Sequence, residues 1–221
     1  MIVWWYSGSE WAEIRLGVGS GEYSQGEDIR PVAAYLGGSI MWCDRVFGVF
    51  PGGRVRCLRC SDRRAFQAYR GDEELGRYQG WEPMTDQEAF DFLYSMSLVR
   101  GFTRGEWVQL GIAAEGSDWL IGDIGLYFSE GGRYGELGYA LRRAFQGQGI
   151  ATAAVGVAIE LFFKETESEW IQAVTDERNG ASVRLLERLG FCHAETRSVL
   201  FRGERCVELE YRLGRGGKVV G

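Results

Sequence analysis

The order of apolar and polar positions divides the chain into an irregular first quarter and a patterned remainder. Residues 1 to 52 mix aromatics, glycines and short polar runs without a persistent period, and "GVGSGEYSQGED" and "FPGGR" read as turn or flexible segments. Order begins at Gly53. Arg54 to Arg59 has the composition of a strand, and Ser61 or Asp62 can cap a helix running through Phe66 and Tyr69. A second helix is expected where Thr85 and Glu88 form a capping-box pattern ahead of Phe90, Phe92, Leu93 and Met96. Then come "EWVQLGIAAE" and "DWLIGDIGLYFSE", strand candidates joined at Gly116 and Ser117, followed by "YGELGYAL" after the Gly131 and Gly132 turn. A helix from Gln148 to about Phe163, apolar on several faces, separates these from a further strand at about Glu169 to Val174. "NGASVRLLERLG" repeats Val183, Leu186 and Leu189 at helical spacing, with Gly190 to end it. "SVLFRGERCVELEYRL" reads as a closing hairpin turning at Gly203, in which Val207, Leu209 and Tyr211 alternate with Cys206, Glu208 and Glu210. Meandering strands that give way to a strand, helix, strand unit predict a mixed α/β sheet.

Composition narrows the class. A chain of 221 residues, 45% hydrophobic and 25% charged, can bury one sizeable core, so a wholly disordered chain is not expected. The formal charge of −6 argues against a broad cationic surface for nucleic-acid phosphates. Five cysteines, an odd number, do not form a disulfide framework and fit a reducing compartment. Cys57 and Cys60 make one C-x-x-C without a second pair, His193 is the single histidine, and two thiols three apart on a strand face opposite sides. Neither a metal site nor a redox pair is expected. "MIVWWYSGSEW" is a poor secretory signal, and no apolar span approaches ~20 residues. The expectation is a cytoplasmic protein with neither membrane nor direct nucleic-acid partners.

"LRRAFQGQGIATAAV", Leu141 to Val155, carries the candidate chemistry. Gly147 and Gly149 permit tight backbone geometry and keep side chains away from the amides that open the following helix, where phosphate oxygens can bind without a lysine. A nucleotide P-loop would need G-x-x-x-x-G-K, and a dinucleotide fingerprint would need G-x-G-x-x-G; neither is completed here. Residue chemistry leaves two readings open, a phosphate-holding turn or a flexible entry to a buried helix.

"QGQGIA", Gln146 to Ala151, matches the Q/R-x-x-G-x-G/A signature of the GNAT acetyltransferase superfamily. "ELGYAL" before it and "NGASVRLLERLGF" after it resemble the branch that includes the ribosomal-protein N-terminal acetyltransferases and some aminoglycoside acetyltransferases. The resemblance runs from about Gly53 to Leu213, leaving residues 1–52 as a glycine- and aromatic-rich extension and 214–221 as a flexible tail. It implies a mixed, mostly antiparallel central sheet with helices on both faces, of the acyl-CoA N-acyltransferase type. It also implies acetyl-CoA as co-substrate, without a metal, and an amine acceptor that is either a peptide N-terminus or a small molecule. Monomer and homodimer both stay open.

By the same resemblance, Gln146, Gly147, Gln148, Gly149, Ile150, Ala151 and Thr152 surround the CoA pyrophosphate. The strand end Leu137, Gly138, Tyr139, Ala140 and Leu141 would splay from the Trp170 to Val174 strand to take the pantetheine arm. Asn179 stands where the family holds that arm with an asparagine, and it also suits a helix cap. Glu136 matches a glutamate that accepts the amine proton, and a backbone amide on the splayed strand would stabilise the oxyanion. Many members carry a tyrosine acid in the next helix, whereas this chain has Leu185 and Leu186 there. Ser182 is the candidate to orient the thiolate, which can also leave unassisted because its intrinsic pKa is about 8.5. Tyr78, Trp81 and Glu82, with Glu74 and Asp86 around them, are expected to form an acidic, aromatic opening for a cationic amine, although Trp81 equally suits a core anchor closing a layer edge. The alternative is a GNAT-like domain that binds CoA or protein without catalysis.

Overall fold

The computed structural model describes residues 2–3 and 45–217. Nine strands form one sheet among them: β1 (Ile2–Val3), β2 (Val46–Phe50), β3 (Gly53–Cys57), β4 (Glu106–Ala114), β5 (Leu120–Phe128), β6 (Tyr134–Leu141), β7 (Trp170–Asp176), β8 (Cys192–Phe201) and β9 (Glu204–Gly214). The order across the sheet is β2-β3-β4-β5-β6-β7-β9-β8, with β1 alongside β6. Every pairing is antiparallel except β6 with β7. The helices are α1 (Arg63–Arg70), α2 (Glu73–Gly76), α3 (Asp86–Ser97), α4 (Ile150–Glu165) and α5 (Gly180–Arg188).

Strand alternation sorts the side chains between two cores. Leu137, Tyr139 and Leu141 of β6 pack with Ala154, Ala158 and Phe162 of α4 and Leu186 of α5. On the other face Ala140 joins Phe66, Tyr69, Trp81 and Leu93 beneath α1 and α3. The long α4 lies close against the start of β6 because Gly135 has no side chain: a Cβ there would come within 2.4 Å of the Phe162 ring. The Thr85 and Glu88 box starts α3 as its sequence predicts, with the Thr85 amide donating to Glu88 Oε2 at 2.8 Å.

Several stretches differ from the sequence reading, among them Ile2–Val3, which pairs with β6, and the short α2. Val46–Phe50, assigned there to the extension, is a strand paired with Gly53–Cys57 around a two-residue turn with Gly52 at φ +93°. Asp62 precedes α1 but makes no side-chain cap, because its carboxylate takes the buried Arg56 guanidinium at 2.8 Å on both oxygens. Gly214 to Gly217, assigned to the tail, belong to the fold: Gly214 ends β9, and Arg215 donates to the carbonyl of Phe163 in the last turn of α4 and to those of Thr166 and Ser168 just beyond it. Those carbonyls lack amide partners at a helix end, so a guanidinium is a natural ligand for them. The rest of the extension, residues 1 and 4–44, and residues 218–221 lie outside the described residues.

Helix α1 is fastened to the sheet by a buried ion pair. Arg70 donates to Asp123 Oδ2 at 2.6 Å through Nη2, Tyr69 donates to the same oxygen at 2.5 Å, and Trp81 lies 3.9 Å from the Arg70 guanidinium. Removing one partner of such a pair leaves a charge buried without compensation. Asp123→Ala is therefore expected to lower stability by about 3–5 kcal/mol in urea unfolding. The double replacement Arg70→Leu, Asp123→Leu should recover much of that loss. A single-variant loss below about 1 kcal/mol would show that α1 does not depend on the pair.

Candidate active site

The parallel strands β6 and β7 are joined for three residue pairs, Tyr134 with Trp170, Gly135 with Ile171 and Glu136 with Gln172. Both continue beyond that point, to Leu141 and Asp176, without pairing. Their outer neighbours explain the parting, since β5 follows β6 through Leu141 while β9 follows β7 through Asp176. The β6 edge left by β7 is met at Tyr139 and Ala140 by the backbone of Val3 and Ile2.

At the open end of this gap the chain turns into α4. The Gln146 side chain donates to the Leu141 carbonyl at 2.7 Å and ties the turn to the strand end. Gly147 and Gly149 have φ of +74° and +79°, and a Cβ at either would meet nothing within 4 Å. Glycine is favoured here by backbone conformation, over an unfilled surface. Gly149 occupies the N-cap position without a side-chain cap, and the first intrahelical bond runs from the Ala153 amide to the Gly149 carbonyl at 3.0 Å. The amides of Ile150, Ala151 and Thr152 thus have no intrahelical acceptor, at the positive end of a 16-residue helix. That geometry fits a diphosphate.

Across the gap, Asn179 Oδ1 accepts from the Ser182 amide at 3.3 Å, so Asn179 caps α5. Ser182 is fully buried and faces the Tyr139 phenol, which burial raises far above its ordinary range. Leu185 and Leu186 belong to the core against α4.

Glu136 points to the opposite face, the one covered by α1 and α3, where it ends the paired stretch. Burial pushes its carboxyl up to about 7; a hydrogen bond with Gln172 opposes the shift and the Glu210 charge adds to it. Its register partner is Tyr127 on β5. On the next row of this face Gln109 stands beside Gly125 and Gly138, two positions without side chains. Both polar atoms of the Gln109 amide are buried without a hydrogen-bond partner.

The sequence reading did not single out Gln109, Tyr127, Glu208 or Glu210 for this face. The alternation in "CVELEY" was visible, and both its sides are covered: Cys206, Glu208 and Glu210 are buried on one face, and on the other Tyr211 is buried with Val207 and Leu209 half-buried. Burial raises Glu208, and Glu210 is held by Arg197 at 2.9 Å and Arg212 at 2.8 Å.

The expected acceptor opening is not assembled as predicted. Trp81 is 4% exposed, stacks on Arg70 and donates to the Arg70 carbonyl at 3.2 Å, so it closes the helical core. Glu82 lies on the surface 3.5 Å from Arg202 at the tip of the β8–β9 hairpin. Glu74 pairs with Arg143. Tyr78 is half-buried beside Arg77 and Arg178, the latter bound to Asp176 at the end of β7. Cys57 ends β3 and Cys60 begins the next turn, and neither is in a disulfide. Among the described residues no group of three or more His, Cys, Asp or Glu could hold a metal, and no helix is long and apolar enough to cross a membrane.

A mostly antiparallel sheet with one parted parallel pair, flanked by helices on both faces, is the fold of the acyl-CoA N-acyltransferases. The family model for the acetyltransferase (GNAT) domain matches residues 54–192, and the chain belongs to that family. It is 29% identical over 140 residues to the uncharacterized N-acetyltransferase p20 of Bacillus licheniformis, covering 62% of this chain and 77% of that protein. It is 34% identical over 90 residues to the probable N-acetyltransferase YjcK of Bacillus subtilis (strain 168), covering 40% and 50%. Among solved structures, RimL, the ribosomal L7/L12 alpha-N-protein acetyltransferase in complex with coenzyme A, superposes with a TM-score of 0.69 at 15% identity, covering 79% of this chain and all of that one. The ribosomal-protein-S5-alanine acetyltransferase of Vibrio fischeri gives a TM-score of 0.67 at 20% identity, covering 76% and 96%.

The environment of Glu136 has a consequence for stability. Its carboxyl rises from 4.5 to about 7 on folding, so the folded state binds the proton more tightly than the unfolded chain. That contribution is complete below the unfolded value and is lost as pH climbs through the folded one. Glu136→Gln removes the dependence, so the variant should gain on the native chain by about 3 kcal/mol between pH 4.5 and 8 in denaturant titrations. A difference constant across that range would contradict a raised Glu136.

Proposed function

We propose that this protein transfers an acetyl group from acetyl-CoA to a primary amine, with Glu136 accepting the amine proton. The observation that carries the reading is the position of Glu136, a half-buried carboxyl raised to about 7 at the point where β6 and β7 part. A protonated amine has no lone pair for attack, and a base with a pKa near the working pH removes that proton most effectively. The free amine then attacks the thioester carbon. The new C–N bond forms, the C–S bond breaks, and CoA leaves as a thiolate that takes a proton from solvent or from the Ser182 side. The diphosphate lies on the amides of Ile150, Ala151 and Thr152, with Gln146 and Gln148 at the turn, and the pantetheine arm follows the edge of Leu137 to Leu141. Ile2 and Val3 pair with that same edge at Ala140 and Tyr139, so on this reading the arm takes the edge when β1 leaves it.

The acceptor is a protein N-terminus or a small molecule. The names of RimL and the S5-alanine enzyme support the former, and the hydrophobic identity of α5 at Leu185 and Leu186 keeps a CoA-binding domain without catalysis as the second reading. Thiol release from acetyl-CoA across N-terminal peptides, aminoglycosides and polyamines separates them. Acceptor-dependent release supports transfer, and CoA binding without release from any acceptor supports the second reading.

Two outcomes are expected once an acceptor is found. kcat/KM should rise with pH through an apparent pKa near 7, and Glu136→Gln should lower kcat by about 10²–10³-fold and flatten that limb. Gly149→Val, which places a branched side chain at positive φ over the helix start, should raise the Kd of acetyl-CoA at least about tenfold by calorimetry. A Gly149→Val chain that folds and binds acetyl-CoA normally would remove the diphosphate from this turn.

A further inference from the structure

At the end of β6 remote from the glycine turn lies an open cleft of about 560 Å³, within the range of small-molecule sites. Tyr127, Tyr134 and Trp170 form its aromatic walls, and Glu130 and Arg133 stand in its lining. The Tyr134 and Trp170 rings stack at 5.6 Å and 13°. Trp170 Nε1 is buried without a hydrogen-bond partner.

The cleft opens on the face that carries Glu136. Tyr127 is the register partner of Glu136, Tyr134 precedes it by two residues on the same strand, and Trp170 is the partner of Tyr134. Both phenols are raised above their ordinary values, chiefly by burial, with the Glu136 charge contributing to each. They therefore remain protonated, and aromatic ring faces close to carboxylates favour a cation.

The charges agree. Arg133 already lies over the Trp170 ring at 5.3 Å, and its charge is taken by Glu169 at 3.3 Å. Glu130 has no ion-pair partner among the described residues. One carboxylate, Glu130, thus lines the cleft, and a second, Glu136, stands beside Tyr127 on the same face of the sheet.

We propose that this cleft anchors a second cationic group of the acceptor, so that the preferred acceptor is a small dication. Its reacting amine lies at Glu136, and its second ammonium lies against Tyr127, Tyr134 and Glu130. The proposal rests on the acetyl-transfer reading above and names the substrate class for it. The second ammonium takes no part in bond making; it holds the first in place.

Putrescine and butylamine, which differ by one terminal ammonium, test this with the full-length chain. The ratio of their kcat/KM values should favour putrescine by about tenfold or more, and Glu130→Gln should reduce that ratio several-fold. Trp170→Leu, with folding checked by circular dichroism, should do the same. Equal acetylation of both amines would overturn the cleft as an anchor while leaving acetyl transfer intact. If neither amine is acetylated, calorimetry still decides: putrescine binding that Glu130→Gln weakens several-fold supports the cleft, and absent or unaltered binding overturns it.

Discussion

The pairing of β6 with β7 stops at Glu136 and Gln172, and the candidate site depends on that stop. A parallel pair can part without unfolding either strand if each keeps another neighbour. Here β6 remains hydrogen-bonded to β5 and β7 to β9, so the gap costs one incomplete ladder instead of two loose strands. The same parting aims the last turn of β6 at the start of α4, where the bond from Gln146 to the Leu141 carbonyl fixes the glycine turn. The half-buried carboxyl on β6 and the open amides at the start of α4 thus lie on either side of the strand end, linked through Leu141 and the glycine turn.

The two faces of β6 divide the work. Toward α4 and α5 the strand offers Leu137, Tyr139 and Leu141, which pack the core and leave the turn as the polar feature. Toward α1 and α3 the same strand offers Glu136, Gly138 and Ala140. That side carries buried polar groups in unusual number, among them Gln109, Asp123, Glu208 and Glu210. Asp123 is compensated by Arg70 and Tyr69, and Glu210 by Arg197 and Arg212. Glu136 has an amide for a partner and a carboxylate for a neighbour, so its burial raises its proton affinity. Stability that such a group forgoes at neutral pH is what suits it to remove a proton.

Local patterns carried much of the fold. The Thr85 and Glu88 box, the apolar run of α4 and the spacing of Leu186 in α5 each report contacts within one element, and each appears where its sequence predicts. What failed depended on contacts between elements. Trp81 could be read as an acceptor-site aromatic or as a core anchor, because nothing in the local sequence announces its contact with Arg70, eleven residues earlier. Arg215 looked like tail because its acceptors lie on the far end of α4. "VFGVF" was hidden by the glycine-rich run ahead of it. In the hairpin, period-two alternation gave the two sets of side chains but not that both are covered: Tyr211 enters the core with Leu209 against it, and Glu208 and Glu210 are buried on the opposite face. The glycine turn was legible as chemistry, and Glu136 only through the family resemblance, since a lone glutamate before "LGYAL" has no pattern of its own.

The claim that acetyl-CoA lies on the turn and in the gap is tested most directly by following backbone amide resonances of the full-length chain as acetyl-CoA is added. Saturable shifts concentrated at Ile150, Ala151 and Thr152 and along Leu137 to Leu141 are the expected result. Saturable binding that leaves those amides unmoved, or no binding at all, would contradict the account.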